Sequence, residues 1–326
     1  MVSRRQIVIA FGSSALATPF VSFAQQPKKI PLVGILHPGS PPTSPAISGL
    51  QQGLRDSGYV EGKTIAFEIR WGRGKPGTLP GFALELAKLK VDVLVTVGSP
   101  SIAAAKPVAG GIPIVAADLE TDPVASGLVA SYAKPGDNIT GLFLDFRGLG
   151  GKWLELLTEV VPGIRRAAVL WDVTTPEFQL NALAAAAKTR SMELEVVKFR
   201  EATELEDVLT AALKKRPQAL IQLSSPIVNL ASDRIAKFTQ THRLPAISMF
   251  IAFPEAGGVM SYGPDLRSFF KRLGPLVDKI LKGAKPGEIP LERPTIFEMV
   301  VNMKTAKAIG LKLPQSILIR ADRVIE

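Results

Sequence analysis

Short apolar runs rich in Val, Ile and Leu alternate with amphipathic segments along nearly the whole chain. Residues 30–36 form the first run and predict a buried strand. Residues 46–57 carry Ile47, Leu50 and Leu54 on one helical face, and Gly58 is placed to close that helix. The alternation continues with a half-buried strand at 64–71, a helix at 79–89, a strand at 91–97, a short helix at 101–108 and strands at 112–116 and 139–144. A second series follows Gly148, Leu149, Gly150 and Gly151. It predicts a helix at 152–160, strand 167–171, helix 178–190, strand 194–199, helix 204–215, strand 219–223, helix 228–242, strand 246–249 and a long helix at 266–281. This rhythm with short connections is that of an α/β protein with right-handed crossovers and parallel sheets. The two series are alike in extent, so two lobes are expected: residues 30–144 with part of 258–295, and residues 145–257 with 296–326. Glycine and charge near 145–151 and 253–258 mark candidate hinges.

The junctions between strand and helix repeat a chemical theme. Ser99-Pro100, Thr175-Pro176 and Ser225-Pro226 each follow an apolar run and precede a helical pattern, and His37 to Pro45 is a looser version. Ser and Thr favour the N-cap and Pro favours the first helical position. Each junction therefore predicts a helix N-terminus beyond the carboxyl end of a strand, where open α/β sheets bind ligands and free N–H groups suit an anion. For any single junction, helix capping without a ligand is the favoured reading; several junctions converging on one cleft favour the ligand.

Composition narrows the setting. With 326 residues, 46% of them hydrophobic, the chain is long enough for two domains with substantial cores. Arg4 and Arg5 precede an apolar stretch that ends Ser22-Phe23-Ala24, which predicts a cleavable signal peptide over residues 1–24 and a linker over 25–29. The paired arginines also resemble a twin-arginine signal. An uncleaved anchor is the alternative, and Gly12 and Pro19 interrupt it. There is no cysteine, which excludes disulfides, thiolate metal sites, a Cys nucleophile and a lipid-modified Cys anchor. A soluble periplasmic protein is the expectation. The formal charge of +10 falls to +8 without the leader, which carries Arg4 and Arg5 and no acid. Because Lys and Arg are dispersed and aromatics make up 6%, the charge reads as solvated surface and no nucleic-acid partner is expected.

Several stretches carry a family likeness. They include Gln52-Gly53-Leu54 with Gly58-Tyr59-Val60-Glu61-Gly62, Asp122-Pro123-Val124 with Gly127-Leu128-Val129, and Pro135-Gly136-Asp137-Asn138-Ile139-Thr140-Gly141. Lys152-Trp153-Leu154-Glu155-Leu156-Leu157, Gly257 to Gly263 and Pro294 to Asn302 with Lys304 to Gly310 follow in order. On these the chain resembles the solute-binding proteins of ABC transporters, in the family whose characterised members include aromatic amino-acid binders. The resemblance implies a type I periplasmic-binding fold, two Rossmann-like lobes with parallel sheets joined by a three-strand hinge. It further implies a monomer that captures a small solute, an amino acid or other small carboxylate, and delivers it to a membrane permease whose partner subunits hydrolyse ATP. No cofactor is implied.

Strand carboxyl ends then nominate the ligand contacts. In the first lobe these are His37, Ser40, Ser99, Ser101, Asp118 and Asp122; in the second, Asp172, Thr174, Ser224, Ser225, Phe250 and Tyr262. The hydroxyls suit a ligand carboxylate. Asp118, Glu120 and Asp122 place three acids near one strand end, and with Asp172 they suit an ammonium group; the alternative is a solvated acidic loop, favoured for Glu120, with Asp122 and Asp172 as caps. Phe250 and Tyr262 suit stacking on a planar solute, or ordinary core packing. His37 and His242 without Cys make a poor metal site, and none is expected.

An enzyme is the rival class. His37 near Ser40 is the nearest approach to a base and nucleophile, and neither a Gly-x-Ser-x-Gly elbow nor a strand-linked Gly-x-Gly-x-x-Gly is present. A periplasmic ligand sensor that presents its solute to a membrane receptor is the other alternative.

Overall fold

The structure, a computed structural model, describes residues 29–41 and 45–326. The expected signal peptide, its cut after Ala24 and the linker to residue 28 lie outside the described residues. Among those described, no helix is long and apolar enough to cross a membrane.

The first sheet gathers β1 (Leu32–His37), β2 (Ala66–Trp71), β3 (Val93–Val97), β4 (Ile114–Asp118) and β5 (Ile139–Phe143) in the order β2-β1-β3-β4-β5. Every pairing in it is parallel. Alternate residues serve opposite faces. Val33 and Ile35 pack with Leu50 and Leu54 of α1 (Pro45–Asp56). Leu36, Leu94 and Ala116 pack with Leu79 and Ala83 of α2 (Leu79–Lys88) and Ile102 of α3 (Ser99–Ala105).

The chain crosses to the second sheet at α4 (Phe146–Val160). Asp145 caps this helix by accepting from Arg147 N–H (3.3 Å). The helix therefore starts six residues earlier than the pattern predicts, and Gly148, Gly150 and Gly151, expected as a hinge, lie inside it. Gly150 has a packing reason: a Cβ there would meet the Phe146 ring at 3.2 Å, with Leu183 on α5 (Phe178–Lys188) just beyond. The second sheet then assembles β6 (Arg166–Asp172), β7 (Glu193–Phe199), β8 (Ala219–Gln222), β9 (Ala246–Ser248) and β10 (Met260–Pro264). The intervening helices are α6 (Leu205–Leu213), α7 (Pro226–Leu230), α8 (Ser232–Thr241) and α9 (Ala252–Glu255). The helix expected over 228–242 is thus two, divided where Ser232 Oγ bonds the Asn229 carbonyl (2.8 Å).

From β10 the chain returns to the first lobe as α10 (Leu266–Lys271) and α11 (Leu273–Leu281), which replace the single long helix expected. Pro275 has no N–H to offer the Lys271 carbonyl, and the break falls there. That carbonyl lies against Gly53 of α1, where a Cβ would sit 2.0 Å from it, so Gly53 and Gly274 allow the two helices to approach backbone to backbone. A third crossing runs beside β5, with Phe143 N–H donating to Glu292 O (2.9 Å) and Glu292 N–H to Gly141 O (2.9 Å). It leads to β11 (Phe297–Asn302), α12 (Met303–Ala308), α13 (Gln315–Arg320) and β12 (Arg323–Ile325). The second sheet runs β12-β11-β10-β9-β8-β6-β7. Its β10–β11 pair is antiparallel, an exception to the parallel expectation that follows from the chain re-entering the sheet from the hinge side.

Candidate functional site

Strand carboxyl ends from both sheets converge on a cavity of about 470 Å³, a size suited to a small solute. The first sheet contributes His37, Gly39 and Ser40 after β1, Gly98 after β3, and Leu119 and Glu120 after β4. The second contributes Asn229 and Leu230 of α7, Phe250 and Ile251 after β9, and Glu255. Leu266 and Phe270 of α10 close one side.

The first rim is polar and titratable. His37 Nδ1 accepts from Gly39 N–H (2.8 Å), and its ring lies 4.7 Å from that of Trp71. Burial pushes the His37 pKa down from 6.5 to about 4, so the ring is neutral at physiological pH. Glu120 is 3% exposed. Its Oε2 accepts from Ser99 N–H (3.1 Å) and its Oε1 from Ser224 Oγ (2.7 Å), which reaches it from the second lobe. Beneath it, Asp118 Oδ1 accepts the Glu120 N–H (2.8 Å). Burial first, then the Asp118 charge and a hydrogen bond shared with its side chain, hold the Glu120 carboxyl well above the usual range; the Ser224 and Ser99 bonds pull weakly the other way.

Apart from Ser224 Oγ and the cavity-lining Asn229, the second rim turns its hydrogen bonds mainly into its own loops. Asp172 Oδ1 accepts from Thr174 N–H (2.8 Å) and Thr174 Oγ1 (2.7 Å), while Thr175 Oγ1 donates to Asp172 O (2.7 Å). Burial raises the Asp172 pKa, against the Thr174 bonds. Ser225 caps α7 by accepting from Val228 N–H (3.0 Å), with Pro226 at the first position as the pattern predicts. Gln179 of α5 holds the Ser224 backbone at both ends, accepting its N–H (2.9 Å) and donating to its carbonyl (3.0 Å).

Of the twelve residues nominated from sequence, His37, Ser40 and Phe250 line the cavity. Ser224 reaches it through Glu120. Ser99 and Ser101 lie in the first turn of α3, buried, each hydroxyl without a partner among the described residues. Ser99 is not the N-cap expected: Gly98 takes that place at φ 74°, a conformation open to glycine, and a Cβ there would meet Pro226 across the cleft at 3.3 Å. Asp118 is wholly buried beneath Glu120. Asp122 lies at the edge, where it accepts from Val124 and Ala125 N–H (3.1 and 3.0 Å) and pairs with Arg147 (2.8 Å). Asp172, Thr174 and Ser225 close turns, as above. Tyr262 is on β10, stacked on Phe297 at 5.9 Å, and its carbonyl accepts from Trp153 Nε1 (2.7 Å). Sequence reasoning weighs Glu120 and favours a solvated loop for it, which its burial in the lining corrects, and it does not single out Asn229 and Leu230. The signal for Glu120 is thin, one acid two residues past a buried strand. No cluster of three or more metal-ligating side chains occurs among the described residues.

Residues 33–325 match the model of a family described as ABC transporter substrate binding protein. The chain is similar to a tyrosine-binding protein of Clostridioides difficile, 24% identical over 274 residues that cover 83% of this chain and 78% of the relative. It superposes on a Streptococcus pneumonia ABC domain in complex with L-Trp at a TM-score of 0.83, with 22% identity and coverage of 90% and 99% of the two chains. A ligand-free, open substrate-binding protein with adhesive properties from Clostridium difficile matches at a TM-score of 0.63, with 22% identity and coverage of 91% and 99%. Among other solved folds that match is a leucine-binding protein of Thermotoga maritima, at a TM-score of 0.58 and 16% identity. These likenesses agree in the type I periplasmic-binding fold.

Proposed function

The chain belongs to the ABC transporter substrate binding protein family, and from that membership we propose that it is an exported receptor that encloses an amino acid between its lobes and hands it to a membrane permease, without chemical turnover. The observation that carries this is the cavity itself, lined from both sheets and bridged by the Ser224–Glu120 bond. Such a bond exists only when the lobes are together, so enclosure and hinge closure are one event. Phe250, Phe270 and Leu230 give the cavity an apolar side for an aromatic or branched side chain, and His37, Ser40, Asn229 and Glu120 give it a polar side. The names of the relatives, binders of tyrosine, tryptophan and leucine, point to the same class of solute.

The test is a thermal-shift screen of purified protein, stripped of carried-over solute by partial unfolding, against the twenty amino acids, with calorimetry on the hits. A solute at about 100 times its Kd stabilises by about 2.7 kcal/mol, which raises Tm measurably. An upward shift for one or a few aromatic or branched amino acids is expected. A flat response across all twenty would overturn the proposal.

A further inference from the structure

Among the described residues that line the cavity there is no lysine and no arginine. The charged groups present are two acids. Glu255 is engaged by Arg323 (2.7 Å), which stands outside the lining. Among the described residues Glu120 pairs with no cation: its oxygens meet a backbone N–H and a serine hydroxyl, and the acid Asp118 lies beside it. His37, the remaining basic side chain of the lining, is neutral there. The helices that open on the cavity at Gly98 and Pro226 are short, seven and five residues.

A carboxylate placed in this cavity would therefore add a third acid beside a buried pair and find no counter-ion, whereas an ammonium group would supply the cation that the pair lacks and so favour its ionised form. We propose that Glu120 is the specificity-determining residue of the cavity and that the charge it recognises is the solute's amine: the amine is required, the carboxylate is dispensable, and carboxylates without an amine are excluded. This deepens the amino-acid assignment above and rests on it. It also reverses the anion-site expectation drawn from the hydroxyl–proline junctions. Those junctions turn out to hold the loops, and the acid between them faces the solute.

The test compares three solutes on one skeleton by calorimetry: L-tyrosine, tyramine, and 3-(4-hydroxyphenyl)propionate. Tyramine is expected to bind about tenfold or more tightly than the propionate, because the acid pair attracts the ammonium group in a partly enclosed site and offers the propionate carboxylate no counter-ion. In Glu120→Gln, whose carbonyl can accept from Ser99 N–H while its amide N–H donates to Ser224 Oγ and so keeps the latch, the ratio is expected to fall to about threefold or less with Tm little changed. A merely structural role would weaken both solutes together and leave their ratio alone. A propionate that binds the native protein as tightly as tyramine, or a ratio that survives Glu120→Gln, overturns the inference. If none of the three binds, the same comparison is made with L-leucine, isopentylamine and 4-methylpentanoate. Binding there by the amine and not the acid upholds the inference and removes only the aromatic assignment; silence from both series overturns the inference, while the amino-acid function stands or falls on the screen of all twenty.

Discussion

On the first rim of the cavity, His37 and Glu120 present polar groups to the enclosed space, whereas on the second rim Asp172, Thr174, Thr175 and Ser225 turn theirs into the loops that hold them. Both rims grow from strand ends followed by hydroxyl residues and proline. What separates them is which side chain satisfies the loop. Asp172 closes its turn through Oδ1 and Gln179 clamps the Ser224 backbone, so the second rim holds its own loops and shows the cavity mainly Pro226, Leu230 and Phe250. After β3 the loop draws on the acid that lines the cavity. Gly98 makes the turn by its backbone conformation, and the Ser99 N–H finds its acceptor in Glu120 from the adjacent strand end. One rim is thus a scaffold with an apolar face, and the other carries the chemistry.

The sharpest way to break that contrast is at Gln179, which is fully buried and makes both hydrogen bonds of the Ser224 backbone. Gln179→Ala would leave two buried backbone groups unsatisfied, each at about 1–3 kcal/mol. Chemical denaturation is expected to show a loss of about 3–4 kcal/mol. If the second rim is a scaffold, that loss appears in the solute-free protein. A variant of native stability whose only defect is in binding would assign Gln179 to the solute instead.

Acid titration reads His37 and Glu120 on the first rim, with Asp172 on the second rim titrating on the same side as Glu120. The folded pKa of His37, about 4, lies below its ordinary 6.5. Between those values the unfolded chain takes up a proton that the folded chain refuses, so stability falls as pH drops through the window 6.5 to 4. The loss is at most about 3 kcal/mol, and less for a ring in partial contact with solvent. Glu120 acts from the other side: its raised pKa means that above the ordinary carboxyl range the unfolded chain ionises first, so this group's cost to the closed form grows as pH rises. His37→Asn keeps an acceptor for Gly39 N–H and is expected to flatten the acid limb of a Tm-versus-pH curve between pH 6.5 and 4. An unchanged acid limb would show that the cost arises elsewhere.

The contrast between the rims also explains what the sequence could disclose. The strand and helix order is written in hydrophobic period, and it reappears from β1 to β9 with ends moved by a few residues. Ser225-Pro226 is a local signal and forms the local structure it predicts. Ser99-Pro100 looks the same and does not, because whether serine caps a helix depends on whether the preceding residue makes the turn first, and Gly98 does. Gly148 to Gly151 suggest a hinge by composition, yet Asp145 caps the helix ahead of them and Gly150 packs against Leu183. Glu120 was the least legible. In sequence it is one of three alternating acids, Asp118, Glu120 and Asp122, and the one that reads best as solvated. Its burial is decided by Ser224, more than a hundred residues away, and by the closing of one lobe on the other. Asp122, the stronger candidate by pattern, ends at the edge with Arg147.

Adjacent serines give the finest comparison, because Ser224 and Ser225 differ by one position and face opposite tasks. Ser225 Oγ accepts from Val228 N–H within its own rim, while Ser224 Oγ donates to Glu120 across the cleft. Ser225→Ala is expected to cost about 1 kcal/mol of stability, as N-cap losses do, and to leave solute affinity within about twofold. Ser224→Ala removes a bond made only on closure, with a net worth of about 1 kcal/mol, so it is expected to leave the solute-free Tm nearly unchanged and to weaken solute binding about fivefold. The loss arises because the solute must then draw the lobes together without the latch. Denaturation and calorimetry on the two variants decide it. If both serines move stability, or both move affinity, the division between a scaffold rim and a recognition rim fails at the one place where the two are joined by a single hydrogen bond.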